Sequence, residues 1–175
     1  MNRHLAAAIA RLTMTIAFVF VAFGLLHEPS RRFEARMVAW TMSILNIGGV
    51  GHVYGPKILV LPAHKRAFLA TVTPSCSALA AVLTFFAIAL FLLHGPLGRR
   101  MFAVLAAAGV VIACNIVRIA LSLAVGLHTG SHGMVVFHDW VGTIFGMFYV
   151  LAGFTLFVFM LLPSNKRLLE ASRGS

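Results

Sequence analysis

Three side chains that could together catalyse acyl transfer stand in or beside long apolar runs: Cys76, Arg118 and His138. A thiolate is a nucleophile, a histidine can take the thiol proton and later protonate a leaving amine, and an arginine can stabilise negative charge. Cys76 follows Thr-Pro-Ser, which is typical of a helix start, where the helix dipole lowers the pKa of a thiol. The three residues predict a cysteine nucleophile if the fold brings them together.

The composition places these residues in a membrane protein. Of 175 residues, 61% are hydrophobic and 10% are charged, against about 25% charged residues in soluble proteins. This excludes a soluble globular protein and a disordered chain. The formal net charge of +10 favours contact with anionic lipid head groups, and no motif indicates nucleic acid binding. Two cysteines are too few for a disulfide scaffold or a cysteine-based zinc site.

The apolar runs predict one all-α, polytopic, membrane-embedded domain over residues 1–175 with about four transmembrane helices. Each run reaches or approaches the 20 or so residues that a helix needs to cross the hydrocarbon core. The first run lacks a small-residue cleavage site after Gly-Leu-Leu-His-Glu, which favours an uncleaved anchor over a secretory signal. The predicted spans are residues 5–26, 75–94, 101–125 and 141–162.

The long connection 27–74 is predicted to be an external loop with structure of its own. Apolar residues at helical spacing between 33 and 48 predict an interfacial or re-entrant helix that ends at a glycine cluster. Two short apolar segments, 58–61 and 67–73, flank Pro-Ala-His-Lys-Arg and predict a β-hairpin.

Basic residues in the short connections predict the orientation in the membrane. Arg99 and Arg100 lie between the second and third spans, and the C-terminal tail carries Lys166, Arg167 and Arg173. The connection 128–140 has no lysine or arginine, which places it and loop 27–74 outside the cell. The basic residues of loop 27–74 favour the opposite orientation.

Alternating spans bring the reactive residues to one side of the membrane. The second span starts, the third ends and the fourth starts on the same side, so Cys76, Arg118 and His138 share a leaflet in either orientation. Asn115 lies three residues before Arg118 on the same helix face and could bind the guanidinium or a bound peptide. Arg118 could instead only extend to the interface, although a charge inside a span is a functional-site candidate by default.

Other reactive residues are interpreted as structural. Cys114 shares the Arg118 face but lies deeper in the bilayer, so we interpret it as a packing residue. His128 and His132 have metal-ligand spacing, yet they stand in a glycine-rich segment that predicts a loop, and no metal or other cofactor is expected.

Three sequence blocks resemble the signatures of the exosortase/archaeosortase family: Ser-Cys-Ser-Ala-Leu at 75–79, Asn-Ile-Val-Arg-Ile at 115–119 and His-Asp-Trp-Val-Gly at 138–142. The resemblance implies a polytopic transpeptidase of the plasma membrane with an outward-facing site. It implies recognition of a C-terminal signal on exported proteins, made of a short motif, a transmembrane helix and a basic tail. The catalytic residues would be Cys76, Arg118 and His138. Ser75, Ser77 and Asn115 would support them or bind substrate.

Two classes of function therefore remain open from the sequence. The first is a cysteine protease or transpeptidase that transfers the exported protein to a surface acceptor through a thioester on Cys76. The second is a non-enzymatic transporter or assembly factor in which Arg118 binds an anion or a lipid phosphate. A metal-dependent protease is the weakest alternative because the chain has no His-Glu-x-x-His motif.

Overall fold

The computed structural model describes residues 3–92 and 96–162, with side chains for 5–91 and 96–162. Three described helices are long and apolar enough to cross a membrane, which confirms a largely helical membrane protein. They are α1 (Arg3–Ile44), α3 (Leu97–Thr129) and α4 (Ser131–Leu161). The predicted C-terminal basic tail, with Lys166, Arg167 and Arg173, and the predicted end of the second span lie outside the described residues.

Helix α1 runs without interruption through the point where the sequence predicted a loop. The prediction of an external loop from residue 27 is wrong at its start, because the helix continues through Pro29 to Ile44 and includes most of the predicted interfacial helix. Ala35, Val38 and Met42 are fully buried against the sheet and α3, and this packing stabilises the helix beyond Pro29. The large side chains Phe33 and Trp40 point outward instead.

The predicted hairpin is part of a three-stranded antiparallel sheet. Its strands are β1 (Val50–Tyr54), β2 (Lys57–Val60) and β3 (Phe68–Thr71), in the order β1-β2-β3. The hairpin prediction missed β1, because its Val-Gly-His-Val-Tyr sequence lies in the glycine cluster that indicated a break. Ile58, Val60 and Ala70 face the core, so the sheet packs on α1 and α3.

The helix of the second predicted span begins later than expected. Helix α2 covers Leu79–Ala87 and continues as a π-helical turn, Ile88–Leu92. Together they form a shorter apolar helix than the three long ones. Cys76 ends a separate 3-10 turn, Pro74–Cys76, and Ser77 after it is extended. The cysteine therefore precedes the helix instead of occupying its first turn.

Helices α3 and α4 form a tight antiparallel hairpin with Gly130 between them. Gly130 has φ +85°, a conformation that favours glycine, and its N–H bonds to the Gly126 carbonyl at 2.8 Å. The predicted loop 128–140 is thus helical apart from Gly130, and His138 lies inside α4 instead of before it. The other glycine of this segment, Gly133, is helical, and a Cβ there would clash with Thr129.

Candidate active site

The thiol of Cys76 faces the imidazole of His138 at the end of the molecule that carries the sheet. Cys76 Sγ lies 3.0 Å from His138 Nε2. The 3-10 turn before α2 presents the thiol, and the second turn of α4 presents the ring. Burial alone raises the pKa of the Cys76 thiol, but hydrogen bonds with His138 and Thr73 and the charge of His138 together lower it to about 7. A substantial fraction of the thiol is therefore ionised at neutral pH.

Arg118 contacts the same ring nitrogen as the thiol. Its Nη2 lies 3.2 Å from His138 Nε2, and its side chain is only 9% exposed, so it packs inside the protein instead of extending to the interface. A Cβ at position 142 would lie 2.9 Å from Arg118 Nε, so Gly142 leaves room for the guanidinium. Cys76 and Arg118 therefore approach the same nitrogen of His138.

Ser122 and Arg118 indicate which nitrogen of His138 carries the proton, because a guanidinium can only donate to Nε2. The Ser122 hydroxyl donates to the Arg118 carbonyl oxygen at 2.9 Å and lies 3.4 Å from His138 Nδ1. Since that hydroxyl hydrogen is already used, Ser122 accepts from Nδ1–H, and the lone pair of the neutral ring is on Nε2. Nε2 is thus the nitrogen that can take the thiol proton.

Asn115 holds the backbone of the cysteine and not the guanidinium. Its Nδ2 donates to the Cys76 carbonyl oxygen at 2.9 Å, and its Oδ1 accepts from the Tyr149 hydroxyl at 2.9 Å. Asn115 is fully buried. The Arg118 guanidinium, expected from the sequence as a partner of Asn115, is not the one observed, because helix spacing predicts neighbours on one helix but not contacts with the turn before α2.

The two serines beside the cysteine have different partners. The Ser75 hydroxyl lies 2.9 Å from that of Thr73, which is also 2.9 Å from Cys76 Sγ. The Ser77 hydroxyl donates to Glu34 Oε1 at 3.0 Å. Ser75 therefore lies on the thiol side of the turn, and Ser77 faces α1.

A groove beside the thiol offers space for a substrate. It has a volume of about 250 Å³ and lies between β3, the turn before α2, and the facing parts of α3 and α4. Its lining includes Ala70, Thr71, Thr73, Cys76, His138 and Asp139. The site thus combines a thiol, an imidazole within hydrogen-bonding distance of it and an open groove, and such an arrangement could carry out acyl transfer.

The remaining candidates lie elsewhere. Cys114 packs against the cluster formed by α2, α3 and α4, with Ala107 and Phe157 among its members. His128 is in the last turn of α3 and His132 in the first turn of α4. In the described part of the chain, no group of three His, Cys, Asp or Glu residues is arranged to hold a metal ion.

A known protein family matches most of the chain. A family model described as transmembrane exosortase (Exosortase_EpsH) matches residues 1–161. The chain belongs to this family. The resemblance drawn from the three sequence blocks is therefore confirmed, and exosortases are a family of membrane cysteine transpeptidases. No curated protein and no solved structure gives a match.

Four residues of this exosortase site were missed by sequence reasoning: Glu34, Thr73, Ser122 and Tyr149. Glu34 gave no usable signal, because Arg31, Arg32 and Arg36 flank it in the sequence and favour an exposed carboxylate paired with them. Ser122 lies one turn after Arg118 on the same face of α3. Nothing in the local sequence indicated Thr73 or Tyr149, whose contacts depend on tertiary packing.

Proposed function

We propose that this exosortase is a membrane cysteine transpeptidase that cleaves a C-terminal sorting signal of exported proteins and transfers them to a surface acceptor. One observation carries the proposal: Cys76 Sγ lies 3.0 Å from the nitrogen of His138 that is assigned as the base. The family relationship supports the same reaction class. Cys76, Arg118 and His138 are the proposed catalytic residues.

The proposed reaction has two acyl-transfer steps. His138 Nε2 takes the thiol proton, and Cys76 Sγ attacks the scissile carbonyl carbon to form a tetrahedral intermediate. The Arg118 guanidinium stabilises the thiolate and then the negative oxygen. Collapse breaks the C–N bond, the protonated His138 gives its proton to the leaving amine, and a thioester remains. An acceptor nucleophile loses a proton to Nε2, attacks the thioester and releases the thiol.

The groove beside β3 is the proposed binding site for the motif preceding the substrate's apolar helix. Among the strands in the described ranges 3–92 and 96–162, β3 pairs only with β2, so its other edge is open there and borders the groove. An extended peptide that adds to this edge is held by main-chain hydrogen bonds and led toward the Thr73–Cys76 turn. The apolar helix of the signal would then continue along the membrane-facing surface of the bundle.

The proposed location is the plasma membrane, with the site facing outward. Arg99 lies at the opposite end of the bundle, where its Nε donates to the Met160 carbonyl oxygen at 2.9 Å. A basic connection at that end is typical of the cytoplasmic side. An outward site also suits a substrate that has already been exported.

Processing of an exported protein in cells tests the proposal. The substrate ends in a short motif, an apolar helix and basic residues, and cleavage is followed by the shift in its mass. The Cys76→Ala variant should accumulate uncleaved substrate, whereas Cys114→Ala, which removes the other thiol, should process it at the wild-type rate. Normal processing by Cys76→Ala would contradict a cysteine mechanism.

A further inference from the structure

One face of α1 holds the segment that carries the nucleophile. The Arg31 guanidinium donates to the Val72 carbonyl oxygen, and the Ser30 hydroxyl lies 3.2 Å from that of Ser77. Glu34, one helical turn further, binds the residues just after the cysteine. The contacts therefore lie on both sides of Cys76 along the chain.

Glu34 makes the most buried of these contacts. Its side chain is 2% exposed, and a single oxygen, Oε1, accepts from Ser77 Oγ at 3.0 Å and from the Ala78 backbone N–H at 2.9 Å. The other oxygen, Oε2, has no hydrogen-bond partner in the described part of the chain. A carboxylate is costly to bury, so a residue held this way without a basic partner calls for a reason beyond packing.

The segment that Glu34 binds fixes only part of its own backbone. The N–H groups of Cys76 and Ser77 bond within the turn, and the Ser77 hydroxyl accepts from the Leu79 N–H at 3.2 Å, but the Ala78 N–H has no acceptor inside the segment. Cys76 ends a 3-10 turn, Ser77 is extended, and Ala78 at the start of α2 has no side chain that could cap the helix. Without Glu34, the buried Ala78 N–H would have no acceptor. On the other side, Asn115 fixes the Cys76 carbonyl. The backbone at the cysteine is thus held on both sides: the Asn115 amide from α3 binds the Cys76 carbonyl, and the Glu34 carboxyl group from α1 binds the two residues that follow.

We propose that Glu34 is a positioning residue that fixes the turn so that Cys76 Sγ points at His138 Nε2. This inference rests on the proposed function, because it assumes that the Cys76–His138 contact serves catalysis. Glu34 touches neither the sulfur nor the ring. It acts through the backbone at Ser77 and Ala78, and it requires only an acceptor oxygen at the Oε1 position.

The test compares Glu34→Ala with Glu34→Gln in a Cys114→Ser background. The measurement is the pH dependence of Cys76 alkylation by iodoacetamide, which needs no substrate, together with kcat for signal cleavage. In Glu34→Ala the apparent thiol pKa should rise from about 7 toward the value of about 8.5 for a free cysteine, and kcat should fall on the order of 100-fold. In Glu34→Gln the amide oxygen replaces Oε1, so both values should return close to wild type.

Three outcomes would overturn the proposal. They are an unchanged thiol pKa in Glu34→Ala, a Glu34→Gln variant as impaired as Glu34→Ala, or an equal shift in the control Arg36→Ala. Arg36 is the matched control because it is a charged residue on the same helix, two positions after Glu34, with an exposed side chain. The two proposals can fail separately. If the thiol pKa shifts as expected but the wild-type protein cleaves no sorting signal, the proposed transpeptidase function is refuted and the positioning role of Glu34 is not.

A second variant keeps the test decisive if Glu34→Ala does not fold. Ser77→Ala removes one of the two donors to Oε1 and leaves α1 intact. Ser77→Ala should raise the apparent thiol pKa, but by less than the rise expected for Glu34→Ala. An unchanged thiol pKa in Ser77→Ala would then overturn the proposal.

Discussion

The hydroxyl of Ser122 lies 3.4 Å from Nδ1 of His138 and is committed as a donor to the carbonyl oxygen of Arg118. In many cysteine and serine enzymes a third side chain orients the catalytic histidine by binding the ring nitrogen that faces away from the nucleophile. In this protein the Ser122 hydroxyl on α3 lies at that nitrogen, Nδ1. Asp139 adjoins His138 in the sequence, but the ring nitrogens contact Cys76, Arg118 and Ser122. The base is thus oriented by a neutral group.

Replacing Ser122 with alanine should weaken the base without removing it. The loss of one neutral hydrogen bond to Nδ1 corresponds to about a 5- to 10-fold fall in kcat, with KM unchanged. Thr84→Ala is the matched control, since Thr84 makes the same bond to a carbonyl four residues earlier but does so on an exposed face of α2. Steady-state kinetics of signal cleavage measure both variants, and equal rates for them would contradict the role given to Ser122 in orienting the His138 ring.

The pKa of Cys76 predicts the pH dependence of thiol chemistry. Because its hydrogen bonds and the His138 charge outweigh burial and lower the thiol pKa to about 7, the thiolate fraction should rise most steeply as pH increases through 7. In His138→Ala the rise should move toward pH 8.5, the range of a free cysteine. Rates of alkylation between pH 5 and pH 10 in a Cys114→Ser background measure the shift. Coinciding profiles would show that His138 does not activate the thiol.

Arg118→Lys separates the transpeptidase from an anion-binding protein. A lysine keeps the charge but loses the planar guanidinium that reaches His138 Nε2, so kcat should fall on the order of 100-fold. A site that only needs positive charge for an anion or a lipid phosphate would tolerate the change. Arg32→Lys, on the exposed side of α1, is the control and should behave as wild type. Full activity of Arg118→Lys would argue against the role given to Arg118.

The open edge of β3 predicts an unusual tolerance for proline. The Val72 N–H bonds to the Pro56 carbonyl on the β2 side, and antiparallel pairs alternate, so the N–H of Thr71 points to the open edge and that of Ala70 points to β2. Thr71→Pro should therefore leave the fold intact yet raise KM for an extended peptide by about 5- to 10-fold. Ala70→Pro should destabilise the sheet itself. Thermal unfolding and KM distinguish the two, and an unchanged KM in Thr71→Pro would rule out edge pairing.

Much of this architecture follows from the sequence because hydrophobic length and alternating direction are local properties. These two properties predict Cys76, Arg118 and His138 at one end of the bundle. In the structure, Cys76 Sγ and Arg118 Nη2 both lie within hydrogen-bonding distance of His138 Nε2. The sequence could not reveal that α1 continues past Pro29, because burial of Ala35 and Val38 against a distant sheet determines it.

The supporting residues were hidden for the same reason. Glu34 lies 42 positions before Cys76 in the sequence, and its partner Ala78 is a backbone group, so spacing along one helix gives no sign of the contact. In the sequence, Tyr149 is one of many aromatic residues of an apolar helix. Only the tertiary structure shows that its hydroxyl donates to Asn115 Oδ1. Such contacts belong to the packing of α1, α3 and α4 around the turn before α2.

Direct detection of the covalent intermediate tests the central claim. The purified enzyme is mixed with a protein ending in a sorting signal, quenched in acid and measured by intact-protein mass spectrometry with peptide mapping. We predict an adduct of the cleaved substrate on Cys76 that hydroxylamine removes and that is absent from Cys76→Ala. Cleavage of the signal by Cys76→Ala, or an adduct carried by Cys114, would contradict the account.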